Sequence, residues 1–109
     1  MIQTAWPVRA LFLGAALSAG SCVSLEQYAP LVESVPMQAR VGSANQLEHG
    51  RDIYITKCAK CHSVEPVKKY PLHQWEQEIL PEMSEETKLS PAEVAAVRAY
   101  VLSVLRMQN

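Results

Sequence analysis

Several common kinds of protein are excluded by what this chain lacks. Ten basic residues stand against eleven acidic ones, a formal net charge of −1. There is no excess cation to meet a phosphate backbone, so nucleic-acid binding has no electrostatic support. Cysteine is scarce, at three residues. A tetrahedral zinc site built on cysteine usually takes two C-x-x-C pairs, and only one pair is present. No strand–helix alternation is visible, which removes the βαβ setting of a thioredoxin-like dithiol. Internal repeats and low-complexity tracts are absent, so a solenoid or an array is excluded. No Ser/His/Asp, Cys/His or paired-carboxylate constellation points to an enzyme. Long apolar runs are missing too. Residues 10–25 carry no charge, yet as a helix they would reach only about 24 Å, short of the roughly 30 Å of a bilayer core.

What is present is one dense motif, Cys58-Ala59-Lys60-Cys61-His62. This C-x-x-C-H spacing is the attachment signal of a c-type haem. Two thiols one helical turn apart reach neighbouring vinyl groups of a porphyrin and form thioether bonds. The following His62 then lies beneath the ring, where an imidazole nitrogen binds iron. Half of a zinc site and a redox dithiol are the rival readings, and both lack the partners just described.

The chain divides by composition into an export signal at 1–21, a tether at 22–42 and a compact unit at 43–109. Arg9 supplies the positive start, residues 10–19 the apolar segment, and Ala19-Gly20-Ser21 the small residues at which such leaders are cut. Cys22 follows at once. Ala-Gly-Ser-Cys resembles a bacterial lipobox, whose cysteine receives lipid, although Leu17 lies farther upstream than that motif prefers. Ordinary cleavage after Ala19 or Gly20, leaving a free thiol, is the alternative, and a retained membrane helix is another. Pro30 and Pro36 interrupt residues 23–42, which show no sustained period and read as a loose tether. A short helix near Leu25–Val32 is compatible with it.

The compact unit carries three helical patterns. Ser43 and Gln46 form a capping-box pattern ahead of Leu47, Gly50, Ile53 and Tyr54. Ser90-Pro91-Ala92-Glu93 is a second such pattern with proline at the first helical position. Val94, Val97, Tyr100, Val101, Val104 and Leu105 then mark one apolar face. Between them, Trp75, Ile79 and Met83 share a face, and Pro81 predicts an end or a kink just before Met83. Gly50 inside a helix costs about 1 kcal/mol against Ala, which makes sense where another helix crosses closely. A unit this small needs a staple, and a covalent haem is one.

From about Asn45 to Arg106 the chain resembles the small bacterial class I cytochromes c. The resemblance rests on the haem motif at the end of the first helix and on the order of helices after it. It also rests on Gly50 and Tyr54 set against Tyr100, Val101 and Leu102. It implies an all-α, three-helix fold wrapped around one covalently attached haem c, held by Cys58, Cys61 and His62.

The family's usual sixth iron ligand is a methionine sulfur. Met1 leaves with the leader, Met37 lies in the tether and Met107 ends the last helix, so Met83 is the expected ligand. His73 is its rival, an open iron is a third outcome, and His49 is read as a surface residue. Metal ligands are thus expected at His62 and Met83. The resemblance also suggests a proline carbonyl, of Pro66 or Pro71, as acceptor for His62, with Tyr70, Trp75 and His73 as donors to haem propionates.

The implied function is single-electron transfer between a redox-protein donor and acceptor, not catalysis. The implied place is the periplasmic side of a bacterial membrane, lipid-anchored or held by an uncleaved signal, or else the soluble periplasm. An open-iron haem enzyme or gas-binding protein, and a haem subunit of a larger oxidoreductase, are the alternatives. Lys57, Lys60, Lys68 and Lys69 cluster around the motif, and Glu76, Glu78, Glu82, Glu85 and Glu86 around Met83, so a lysine-guided approach to an acidic partner is a further expectation.

Overall fold

The computed structural model describes residues 24–58 and 64–107. The export segment with Met1, Cys22, and Lys60, Cys61 and His62 of the haem motif lie outside the described residues. Those described are mostly helical, and no strand occurs among them. The expected all-α class is therefore observed. In chain order there is a short helix α1 (Leu25–Tyr28), two 3₁₀ turns (Val32–Ser34 and Met37–Ala39), and helix α2 (Ala44–Ile53) running into a π-helical turn (Tyr54–Cys58). A 3₁₀ turn (Val67–Lys69) leads to α3 (Leu72–Gln74), a second π turn (Trp75–Ile79), α4 (Leu80–Thr87) and finally α5 (Pro91–Leu105).

Helix starts follow local chemistry. Ser43 accepts the backbone N–H of Gln46 at 3.1 Å. At α5 the box is reciprocal: Ser90 Oγ accepts from the Glu93 N–H at 3.2 Å, and Glu93 Oε1 accepts from the Ser90 N–H at 2.9 Å. Two donors that no helix can satisfy internally are met in each direction.

Helices α2 and α5 form the centre of the fold, and Gly50 is where they meet. A Cβ placed on Gly50 would lie 2.1 Å from the Ala96 carbonyl oxygen and 3.0 Å from Tyr100 Cβ. No side chain fits there, so the helix accepts glycine's propensity cost to let backbone approach backbone. Leu47, Ile53 and Tyr54 from the first helix and Val97, Tyr100, Val101 and Val104 from the last are buried around this contact.

The expected tether is not loose within the described residues. Residues 24–42 lie as a strap on the two central helices, with Ala29, Val32, Val35 and Ala39 buried. Buried Arg51 donates from Nε to the Ala29 carbonyl at 3.0 Å. Tyr100 Oη donates to the Pro30 carbonyl at 2.7 Å. The Val41 N–H donates to Ser103 Oγ at 2.8 Å. Arg40 turns back on its own strap, donating to the carbonyls of Val35 and Val32. Gly42, at φ +102°, makes the bend that leads into α2. The strap helps α5 to bury more than the one face its periodicity marks. Ala99 and Ser103 are covered beside Gly42 and Val41, while Ala96 is buried against Gly50.

In the middle helix one of the two outcomes expected at Pro81 is ruled out. Pro81 does not end it, and helical backbone runs on to Thr87. The reason is the π turn immediately before. Proline removes a backbone donor and crowds the preceding turn, and the wider π turn absorbs that defect. The Leu80 N–H closes it by donating to the Trp75 carbonyl.

Candidate functional site

Both π turns border the same cavity, of about 340 Å³. Such turns are often found at functional sites. Tyr54 and Cys58 come from the first turn, Val64 and Glu65 from the segment after the haem motif, and Tyr70 from the approach to α3. Trp75, Ile79 and Met83 form the apolar side of the middle helix, and Glu78, Glu82 and Glu86 run beside them at intervals of one turn. The volume lies in the range of small-molecule and cofactor sites.

Of the expected haem residues that are described, Cys58 and Met83 share this cavity. Cys58 is buried at 3 % exposure, and burial pushes its thiol up to about 11. Met83 is half-buried, and its carbonyl accepts Thr87 Oγ1 at 2.6 Å. His73 is exposed and lines no part of the cavity, and His49 is likewise exposed on α2. Met37 is exposed on the strap, at 73 %.

The aromatic side of the cavity is tightly ordered. Tyr54 packs edge-on to Trp75 with ring centroids 5.8 Å apart, and Tyr70 packs edge-on to the same indole at 6.3 Å. Their polar atoms clamp the segment that follows the motif. Tyr54 Oη donates to the Glu65 carbonyl, and Trp75 Nε1 donates to the Val67 carbonyl at 3.0 Å. Burial, helped by the nearby Glu65 charge, raises the Tyr54 phenol well above its ordinary value and keeps it a donor. Tyr70 Oη donates to the Glu65 carboxylate at 3.2–3.3 Å. The expected propionate donors are therefore committed to the protein itself: Trp75 to a carbonyl, Tyr70 to a carboxylate. His73 points the same way, since it stands apart from the cavity.

The two proline carbonyls differ as well. Pro71 O already accepts from the N–H groups of both Gln74 and Trp75, whereas Pro66 O accepts from Lys69. Pro66 keeps a lone pair for a further donor.

The lysines near the motif are drawn into this chain's own ion pairs. Lys57 lies 2.7 Å from Glu93, and Lys69 lies 2.7 Å from Glu65. Lys57 holds the Glu93 carboxyl below its usual range, and Glu65 raises Lys69. Of the four carboxylates lining the cavity, Glu78, Glu82 and Glu86 belong to the acidic cluster expected around Met83, and Glu65 is the one that the sequence did not announce. The interval Glu78, Glu82, Glu86 shows one helix side; Glu65 leaves no such trace.

No family model matches this chain, and neither the curated proteins nor the solved structures contain a match to it.

Proposed function

We infer that this chain is a monohaem c-type cytochrome that carries single electrons at the periplasmic side of a membrane. One observation carries the reading. Cys58, the first cysteine of the C-x-x-C-H motif, lines a cavity of cofactor size together with Met83, the methionine expected to face the iron.

The residues present suit a haem. Tyr54, Trp75, Ile79 and Val64 offer an apolar and aromatic enclosure, and the two sulfur-bearing side chains are of the types that form a thioether and bind iron. When bound, the haem supplies a one-electron iron couple whose potential the protein sets through ligand, burial and hydrogen bonds. Cys58 and Cys61 would hold the group covalently, and His62 and Met83 would supply its iron ligands. Pro66 is the carbonyl with capacity to accept the second imidazole N–H of His62, which would fix its tautomer. Tyr54 and Trp75 hold residues 65–67 so that this carbonyl keeps its place.

The test is whether the haem is covalent. In acid acetone the haem of the purified protein should stay with the polypeptide, and Cys58→Ala with Cys61→Ala should release it. Release of haem from the unaltered protein would overturn the reading.

A further inference from the structure

Three large apolar side chains stand exposed among the described residues: Leu25 at 38 %, Leu31 at 37 % and Met37 at 73 %. All three lie on the strap. None lies on the helices that border the cavity, and no strap residue lines the cavity. The strap has an inside and an outside. Ala29, Val32, Val35 and Ala39 are spent on the helical core, while Leu25, Leu31 and Met37 are left to the surroundings.

The strap cannot swing away cheaply. Arg51, Tyr100 and Ser103 each bond its backbone, from α2 and α5. Its first described residue, Ser24, is two residues after Cys22 and lies within the charge-free run of residues 10–25. Two residues of extended chain span at most about 7 Å. Whatever holds the N-terminus to a bilayer thus holds the strap against that bilayer, with no slack for the domain to stand off.

We propose that the outer side of the strap, through Leu25, Leu31 and Met37, docks on the lipid bilayer and sets the orientation of the domain on the membrane. The inference rests on the reading of a membrane-held N-terminus. Interfacial binding strengthens with the apolar area buried at the bilayer surface. The three apolar side chains add such area at the headgroup boundary. Glu26 and Glu33 are exposed on the same stretch, so the fitting surface is a weakly anionic one, not a strongly anionic one. Because the strap contributes nothing to the cavity, docking on it leaves the cavity rim open to a redox partner.

The experiment uses the full haem-loaded chain in vesicles of phosphatidylethanolamine with phosphatidylglycerol as the minor component. Met37→p-benzoylphenylalanine places a photoreactive group on the strap, and Glu85→p-benzoylphenylalanine places one on exposed α4. After flotation and illumination, mass spectrometry should find at least tenfold more lipid adduct at position 37 than at position 85. Adding Leu31→Glu should lower the position-37 adduct several-fold; all these sites are exposed, so folding is not threatened. A chain that floats with the vesicles but shows equal adduct at the two positions would overturn the docking and leave the anchor standing. A chain that does not float would overturn both. In either case the acid-acetone test of the haem reading is unaffected.

Discussion

Met83 and Cys58 reach the cavity from different elements, and each makes a separate prediction. Thioether sulfur favours Fe(II), so Met83→Ala should lower the reduction potential and open the iron to carbon monoxide. The near-infrared band of methionine-ligated ferric haem should vanish in the same variant. An unchanged spectrum would leave Met83 as core filling. For Cys58 the observable is pH, in the haem-free chain. Its folded-state value of about 11 lies above the 9.0 of a free thiol, so the folded state binds more protons between those values. Tyr54 and Tyr100 are raised in the same direction, chiefly by burial. The stability these neutral groups contribute is whole below pH 9 and is lost as pH rises through about 11. The urea midpoint of the haem-free chain should therefore fall steadily above pH 9; a flat profile would show that these groups are hydrated.

Among the elements, the crossing of α2 and α5 is the joint on which the rest depends. Gly50→Ala tests it with two opposed effects. Alanine is the better helix former by about 1 kcal/mol. Against this, its Cβ would sit 2.1 Å from a backbone oxygen, and backbone cannot rotate aside. Overpacking of this kind costs about 1–3 kcal/mol and occasionally more, and with backbone as the neighbour the clash wins. The variant should melt several degrees lower, and an unchanged melting temperature would mean that the helices cross farther apart. The strap adds a second constraint, since two buried valines contribute about 1.5–3 kcal/mol each. It also packs residues 24–42 onto the unit expected at 43–109.

On the scale of the molecule, charge around the cavity decides which reagents approach. Lysine-guided docking loses two of its four lysines to Glu93 and Glu65, while Glu65, Glu78, Glu82 and Glu86 line the cavity. Electron exchange with a small cationic reagent should therefore slow as salt is raised from about 0.01 to 0.1 M, where the screening length falls from roughly 30 to 10 Å. Exchange with a small anionic reagent should quicken over the same range. Stopped-flow rates of the reduced protein with both reagents give the answer, and the opposite pair of slopes would restore the lysines as the guiding charges. Among the described residues no helix is long and apolar enough to cross a membrane, so membrane attachment in this scheme rests on the N-terminal segment and the strap.

Local chemistry made much of this protein legible in sequence. The C-x-x-C-H spacing, on which the proposed haem rests, needs only five consecutive residues. The caps at Ser43 and Ser90 need only neighbours three positions on, and the face of Val97, Tyr100, Val101 and Val104 repeats with the helix. Gly50 was readable too, because a glycine inside a strong helix implies a close neighbour. Tertiary structure alone decided the rest. Residues 24–42 have no period of their own, and their burial depends on partners such as Ser103, 62 positions from Val41. Whether Pro81 would end the middle helix or only interrupt it was decided by a π turn, which leaves no periodic mark. That Met83 and not His73 shares the cavity with Cys58 depends on how the middle helix is rotated about its axis. Packing of Trp75 and Leu80 into the core sets that rotation, and two candidates on one helix cannot be told apart until the helix has a neighbour.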